Sequence, residues 1–188
     1  MILEGLVTTL GPDDVLNVAP MGPRFEGDWS RFVLRPFRTS TTFRNLKARG
    51  EGVLHVTDDV LLLARSAIGT VADVETRPAD VVRGRILLTS ARYYEFRVTE
   101  FDDREERATI RVEAVASGRL GELFGLNRAK HAVVEAAILA TRVGFLPGPA
   151  IRDDLARLAP LVEKTGGPSE REAFDLIRTF IAAGDGSS

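Results

Sequence analysis

The sequence predicts a mainly β domain followed by a helical C-terminal part, and three observations carry that reading. Tyr93–Phe101 and Thr109–Ala116 alternate apolar and polar residues with a period of two. Turn-forming clusters such as Gly11-Pro12-Asp13-Asp14 and Asp102–Glu106 punctuate short apolar runs. Beyond Ser117-Gly118 the period becomes helical. The expected division is a strand-rich domain over residues 1–118 and a helical subdomain over 119–188 packed on it.

Taken in order, Ile2–Thr9 and Val15–Ala19 read as two strands around a tight turn, with Pro20 ending the second because proline has no N–H for a central ladder. Asn17 stands inside the second apolar segment. Its amide either satisfies backbone groups at a strand bend or reads the polar edge of a bound ring. Phe25–Ser30 is a loop in which Trp29 serves as a packing residue or a ligand platform, and Arg31–Arg35 is the next strand. Thr42–Arg49 reads as a short helix and Val53–Thr57 as a strand, in which His55 is hydrogen-bonded or surface-facing, with a catalytic acid or base as the alternative. Asp58-Asp59 caps a second short helix, Val60–Ile68, a reading favoured over a metal-binding pair, for which two adjacent carboxylates give weak support.

Val71, Val74, Val81, Val82 and Ile86–Leu88 suggest further strands. In Tyr93–Phe101, Tyr94, Phe96 and Val98 face one way and Tyr93, Glu95, Arg97 and Thr99 the other; in Thr109–Ala116, Ile110, Val112 and Ala114 lie on one side and Thr109, Arg111 and Glu113 on the other. Half-buried strands of this kind suit an antiparallel sheet or barrel. Asn127 caps a helix with a small-residue stripe of Ala129, Ala132, Val133, Ala136 and Ala140. A second helix carries Ile151, Leu155, Leu158 and Val162 with Pro160 inside it, and Ser169 and Glu172 have capping-box spacing before a third. Gly184–Ser188 reads as a frayed tail.

The chain is organised around Arg35–Asp58, where an apolar strand stops near Pro36 and three hydroxyl residues, Ser40, Thr41 and Thr42, precede an amphipathic turn. The hydroxyls can cap a helix by accepting from its unpaired first-turn amides. Those amides, with Arg38, Arg44 and Lys47 nearby, can instead hold a phosphate. Neither a Walker nor a Rossmann fingerprint is present.

Composition bounds the chemistry. With 25 basic and 27 acidic residues the formal charge is −2, which argues against nucleic-acid or anionic-lipid partners. Cysteine is absent, so disulfides, thiolate nucleophiles and zinc–sulfur sites are excluded. No apolar run reaches the roughly 20 residues of a membrane span, and the N-terminus reads as a strand; a cytoplasmic protein is the expectation.

Asn17-Val18-Ala19-Pro20 and Ser40-Thr41-Thr42-Phe43-Arg44-Asn45-Leu46 resemble the two FMN-contacting segments of split-barrel flavoproteins, particularly the flavin-reductase-like branch. Over nearly its whole length, including Thr57–Gly69 and Gly125–Arg142, the chain is similar to the DUF447 family. The resemblance implies a Greek-key split β-barrel of the FMN-binding type, a homodimer with FMN near the subunit interface, and a helical C-terminal part. It implies that Asn17, Ala19, Pro20 and Met21 border the flavin ring and that Ser40, Thr41, Thr42 and Asn45 approach its phosphate. Arg38 and Lys47 are added as charged candidates from the residues themselves. Thr41 replaces an aspartate common in that branch, and Met21-Gly22 replaces its usual serine after the proline. The function implied is FMN-dependent oxidoreduction with a nicotinamide or small-molecule redox partner; alternatives are a non-catalytic FMN-binding or sensing protein and a structural protein that has lost the cofactor.

Overall fold

A computed structural model describes residues 1–25, 27–71 and 73–185. Among the described residues, nine strands and five helices follow one another as β1 (Gly5–Leu10), β2 (Leu16–Met21), β3 (Arg24–Phe25), β4 (Arg31–Leu34), α1 (Thr41–Arg49), β5 (Glu51–Val56), α2 (Val60–Ala67), β6 (Thr76–Pro78), β7 (Arg85–Leu87), β8 (Arg92–Asp102), β9 (Thr109–Arg119), α3 (Arg128–Ala140), α4 (Gly148–Thr165) and α5 (Pro168–Asp185). The fold combines a curled antiparallel half-barrel sheet with C-terminal helices, which is the flavin split-barrel architecture.

Seven strands form that sheet, in the order β2-β1-β5-β8-β9-β4-β3. The β1–β2 and β8–β9 pairs are hairpins, whereas β1–β5, β5–β8 and β9–β4 join strands distant in sequence. The sheet curls far enough that the start of the chain meets β3: Ile2 bridges Arg24, and Leu3 N–H donates to the Pro23 carbonyl at 3.2 Å. Inside the curl lie Val7, Phe32, Leu34, Leu54, Tyr94, Phe96, Ile110 and Val112, with Phe43 and Leu46 contributed by α1. The expected apolar faces of β8 and β9 therefore point inward together.

Pro20 does not end β2. The strand runs through Met21, with Pro20 paired opposite Leu6. It is tolerated because β2 is the edge of the sheet, where a missing N–H costs no ladder bond.

The second face of the sheet differs more from expectation. Val71, Val74, Val81 and Val82 lie outside strands, and the two short strands actually formed, β6 and β7, pair into a hairpin. Val82 and Ile86 from this region bury against Val53 and Tyr93. Tyr93 and Glu95, expected on a half-buried outer face, are consequently buried, Glu95 completely. Its carboxylate accepts from the amides of Asp80, Val81 and Val82 at 2.8, 2.7 and 2.9 Å. His55 lies on the same face and is also fully buried.

Gly52 sits opposite Phe96 across β5 and β8, where an added Cβ would lie 2.8 Å from the Phe96 ring and 2.9 Å from the Thr8 carbonyl oxygen. Gly52→Ala is expected to cost about 1–3 kcal/mol of stability by overpacking. Urea denaturation checks this, and an unchanged midpoint would contradict it.

The helices form a second unit made of α2 together with the chain from Phe124 onward, while the strands and α1 form the first. The division expected at residue 118 leaves α2 with the strands, and the packing of α2 against α3 and α5 assigns it otherwise. Asp59 caps α2 by accepting from Leu62 N–H at 3.0 Å, and Asn127 caps α3 by accepting from Lys130 N–H at 3.1 Å. Asp58 is used differently: its carboxylate accepts from Phe124 N–H, and its carbonyl accepts from Lys130 Nζ, which also reaches Glu170 at 3.0 Å. The capping box expected between Ser169 and Glu172 is displaced. Gly167 N–H donates to Glu170 at 2.9 Å, and Glu172 pairs with Arg65, because Pro168 starts the helix two residues earlier than the spacing implied. Helix α4 continues through Pro160, and α5 continues through Gly184 to Asp185 where a frayed tail was expected; residues 186–188 lie outside the described residues. Among the described residues, no helix is long and apolar enough to cross a membrane.

Candidate functional site

The two short segments singled out in the sequence meet in the first unit. Ser40 caps α1: its backbone is extended and its Oγ accepts from Phe43 N–H at 3.1 Å, while Arg44 N–H bonds to the Ser40 carbonyl. The amides of Thr41 and Thr42 have no acceptor among the described residues. No acidic residue stands in this first turn. Gly50 ends the helix in the left-handed conformation at φ 68°, where a Cβ would be strained, and its N–H donates to the Leu46 carbonyl.

Of the three basic side chains near the turn, only Arg44 folds back over it. Its guanidinium donates to the Thr39 carbonyl at 2.6 Å and to Thr41 Oγ1 at 2.9 Å. Lys47 is one helix turn and more away, in the last turn of α1, 2.7 Å from Asp103 and above the rings of Phe43 and Phe101. The Lys47 hydrogen bond holds the Asp103 carboxyl below its usual range, with the charge of Arg38 a smaller contributor. Arg38 is exposed, and its backbone N–H donates to the Glu106 carbonyl. The structure thus gathers Ser40, Thr41 and Arg44 at the positive end of α1 and puts Lys47 at the other end.

Thr42 and Asn45 face inward and are almost fully buried. Asn17 reaches them from the edge strand: one amide N–H goes to Thr42 Oγ1 at 3.0 Å, the other to Thr9 Oγ1 at 3.2 Å. Asn45 Nδ2 donates to the same Thr9 oxygen at 3.0 Å. Asn17 therefore bonds to hydroxyls, neither of the two uses weighed from sequence. Thr9 is the residue that sequence reasoning missed. It sits in an ordinary β-branched pair whose other member, Thr8, points to the opposite face and donates to the Arg85 carbonyl at 2.6 Å. No local pattern distinguishes the two.

Ala19, Pro20 and Met21 complete the exposed edge, and every residue of β2 is half-buried. Met21 touches the inner core. Trp29 stacks on Tyr94 with ring centres 5.1 Å apart and planes 8° from parallel, and it also contacts Phe25. One of its faces is therefore taken by packing. His131 is an exposed residue of α3, outside this unit. Among the described residues, no cluster of three or more acidic or histidine side chains is arranged to hold a metal.

The amides of Thr41 and Thr42, the hydroxyls of Ser40 and Thr41 and the Arg44 guanidinium meet at the first turn of α1 with the Thr39 carbonyl beside them, a donor-rich set suited to an anion. Beside it runs a half-buried, largely apolar strand edge. The arrangement can seat a ligand with an anionic end and a flat, weakly polar end.

Known structures share the fold of this chain. An FMN-bound protein from Methanosarcina mazei, MM1853, superimposes with a TM-score of 0.85 at 23% identity, covering 95% of this chain and 94% of that one. The 2-nitrobenzoate 2-nitroreductase NbaA of Pseudomonas fluorescens matches at a TM-score of 0.53 and 17% identity, over 62% of this chain and 64% of that one. The NADH:FAD oxidoreductase SgcE6 of Streptomyces globisporus, in complex with NAD and FAD fragments, matches at 0.52 and 8% identity, over 63% and 74%. These likenesses establish the fold. In sequence, residues 3–120 match the N-terminal domain of a protein family of unknown function, DUF447, and residues 127–179 match a second DUF447 segment. The chain belongs to the DUF447 family.

Proposed function

We propose that this chain binds FMN and acts as a flavin-dependent oxidoreductase. The single observation that carries the reading is the donor-rich first turn of α1, joined through Asn17 to the exposed edge strand β2. Its phosphate end would be held by the free amides of Thr41 and Thr42, the hydroxyls of Ser40 and Thr41, and the Arg44 guanidinium. Asn45 would act from behind, through Thr9. The ring would lie along Ala19, Pro20 and Met21. Arg38 and Lys47 would add long-range positive charge, offset by Asp103.

FMN, when bound, supplies the redox chemistry, so the protein need provide only orientation, electrostatics and exclusion of water. The residues present fit that division of labour. His55 is the one buried histidine, and both its ring nitrogens are already hydrogen-bonded, so it moves no proton at this site. Met21 and the neighbouring apolar edge can shield one side of the ring. A second copy of the chain would cover the open edge of β2 and give the flavin walls from both subunits, which is why a homodimer is part of the proposal.

Anaerobic mixing of the FMN-loaded protein with NADH and then NADPH tests the redox half of the reading. Bleaching of the oxidised-flavin absorbance is expected with at least one of them. Retained flavin that neither nicotinamide reduces, and that no small acceptor turns over, would leave a flavin-binding or sensing protein.

A further inference from the structure

The hydroxyl of Thr9 ties together the two halves of the proposed site. It lies on β1, is 1% exposed, and touches no surface a ligand would occupy. Its oxygen accepts from the edge strand through Asn17 at 3.2 Å and from α1 through Asn45 at 3.0 Å, so both lone pairs are filled. The remaining amide proton of Asn17 goes to Thr42 Oγ1 at 3.0 Å, closing a link from the edge strand to the helix. Four side chains from three elements are thus connected by three hydrogen bonds in a nearly dry setting, where an unpaired polar group is costly and geometry is correspondingly well defined.

We infer that Thr9, Asn17 and Asn45 form a clamp of positioning residues, which fixes the distance between the strand edge that takes the flat end of the ligand and the helix turn that takes its phosphate. This inference rests on the FMN reading above. Its physical content is pre-organisation: a ligand that bridges two subsites gains from both only when their separation already matches its length. Each half on its own should be indifferent to the clamp. Riboflavin uses the strand edge, inorganic phosphate uses the helix turn, and only FMN needs the two in register.

The test compares three ligands on the wild-type protein and on Thr9→Val, with Asn45→Ala as a second variant should Thr9→Val fail to fold. FMN affinity is expected to fall about 10- to 100-fold, as loss of one or two well-made hydrogen bonds would give. Riboflavin affinity and the inhibition of FMN binding by inorganic phosphate are expected to stay within about twofold. Equal weakening of all three ligands would reveal a merely structural role and overturn the clamp, as would unchanged FMN affinity in both variants. A wild-type chain that binds no FMN would overturn the functional reading itself, an outcome distinct from FMN binding that ignores Thr9.

Discussion

Glu95→Ala is expected to lower the free energy of unfolding by about 3–4 kcal/mol. Its carboxylate is fully buried and receives three consecutive amides, those of Asp80, Val81 and Val82. Truncation leaves the Val82 amide buried without an acceptor, while the amides of the exposed residues Asp80 and Val81 can recover water, which keeps the cost below the sum for three orphaned donors. Against a typical total of about 5–15 kcal/mol this is a large fraction. Glu95→Gln should cost nearly as much, because its amide nitrogen turns a donor toward backbone donors. Urea unfolding measures both variants, and a loss under about 1 kcal/mol would mean that the loop over residues 79–84 is held by its other contacts, such as Val82 packing and the Arg83 amide bond to Glu51.

The second large effect is a pH dependence carried by His55. Burial pulls its pKa from 6.5 down to about 3, opposed only by the backbone hydrogen bond to Leu6. Nδ1 lies 3.3 Å from the Leu6 carbonyl and Nε2 accepts from Leu87 N–H at 3.0 Å. One neutral tautomer satisfies both bonds, whereas a second ring proton would face the Leu87 amide. The unfolded chain therefore binds a proton that the folded chain refuses across the interval between 3 and 6.5. Stability from this group is complete above the unfolded pKa and drains away as pH falls, by about 1.4 kcal/mol per unit, or about 2.5 kcal/mol between pH 6 and pH 4. Other groups titrate in the same range. The discriminating measurement is the difference in acid slope between wild type and His55→Gln, and equal slopes would contradict the assignment.

Both effects come from the face of the sheet that the sequence conceals. Alternation along β8 identifies which residues share a side, and Tyr94, Phe96 and Val98 do point into the core. Alternation cannot say that the opposite side is covered too. The cover is a two-stranded hairpin of three residues per strand, too short to generate a period, and its valines fall in the connecting loop. Glu95 therefore looks like a solvated charge until its three amide partners are seen. Pro20 misleads for a related reason, since its effect on a strand depends on whether the neighbouring position is occupied, which is a property of sheet order.

The candidate site was legible to a different depth at each residue. Ser40 is a helix cap because hydroxyl chemistry at that spacing is local, and the α1 boundaries follow from it and from Gly50. The pairing of Asn17 with Thr42, 25 positions apart, and of Asn45 with Thr9, 36 apart, is tertiary and leaves no trace in either segment alone. The resemblance to split-barrel flavoproteins brought the Asn17 and Thr42 segments together, but Thr9 stands in neither. Charge was ambiguous for a further reason: Arg44 and Lys47 are both basic and close in sequence, yet the rise of the helix sends one to its positive end and the other to Asp103 at the far end.

On the proposed reading, the first turn of α1 and the edge of β2 together hold a flavin mononucleotide. Equilibrium dialysis of the flavin-stripped protein against FMN, with riboflavin as competitor, tests it most directly. Saturable binding of FMN is expected, with riboflavin weaker by at least about tenfold because it lacks the anionic end that the Thr41 and Thr42 amides and Arg44 would hold. No saturable binding, or equal affinity for the two flavins, would contradict it.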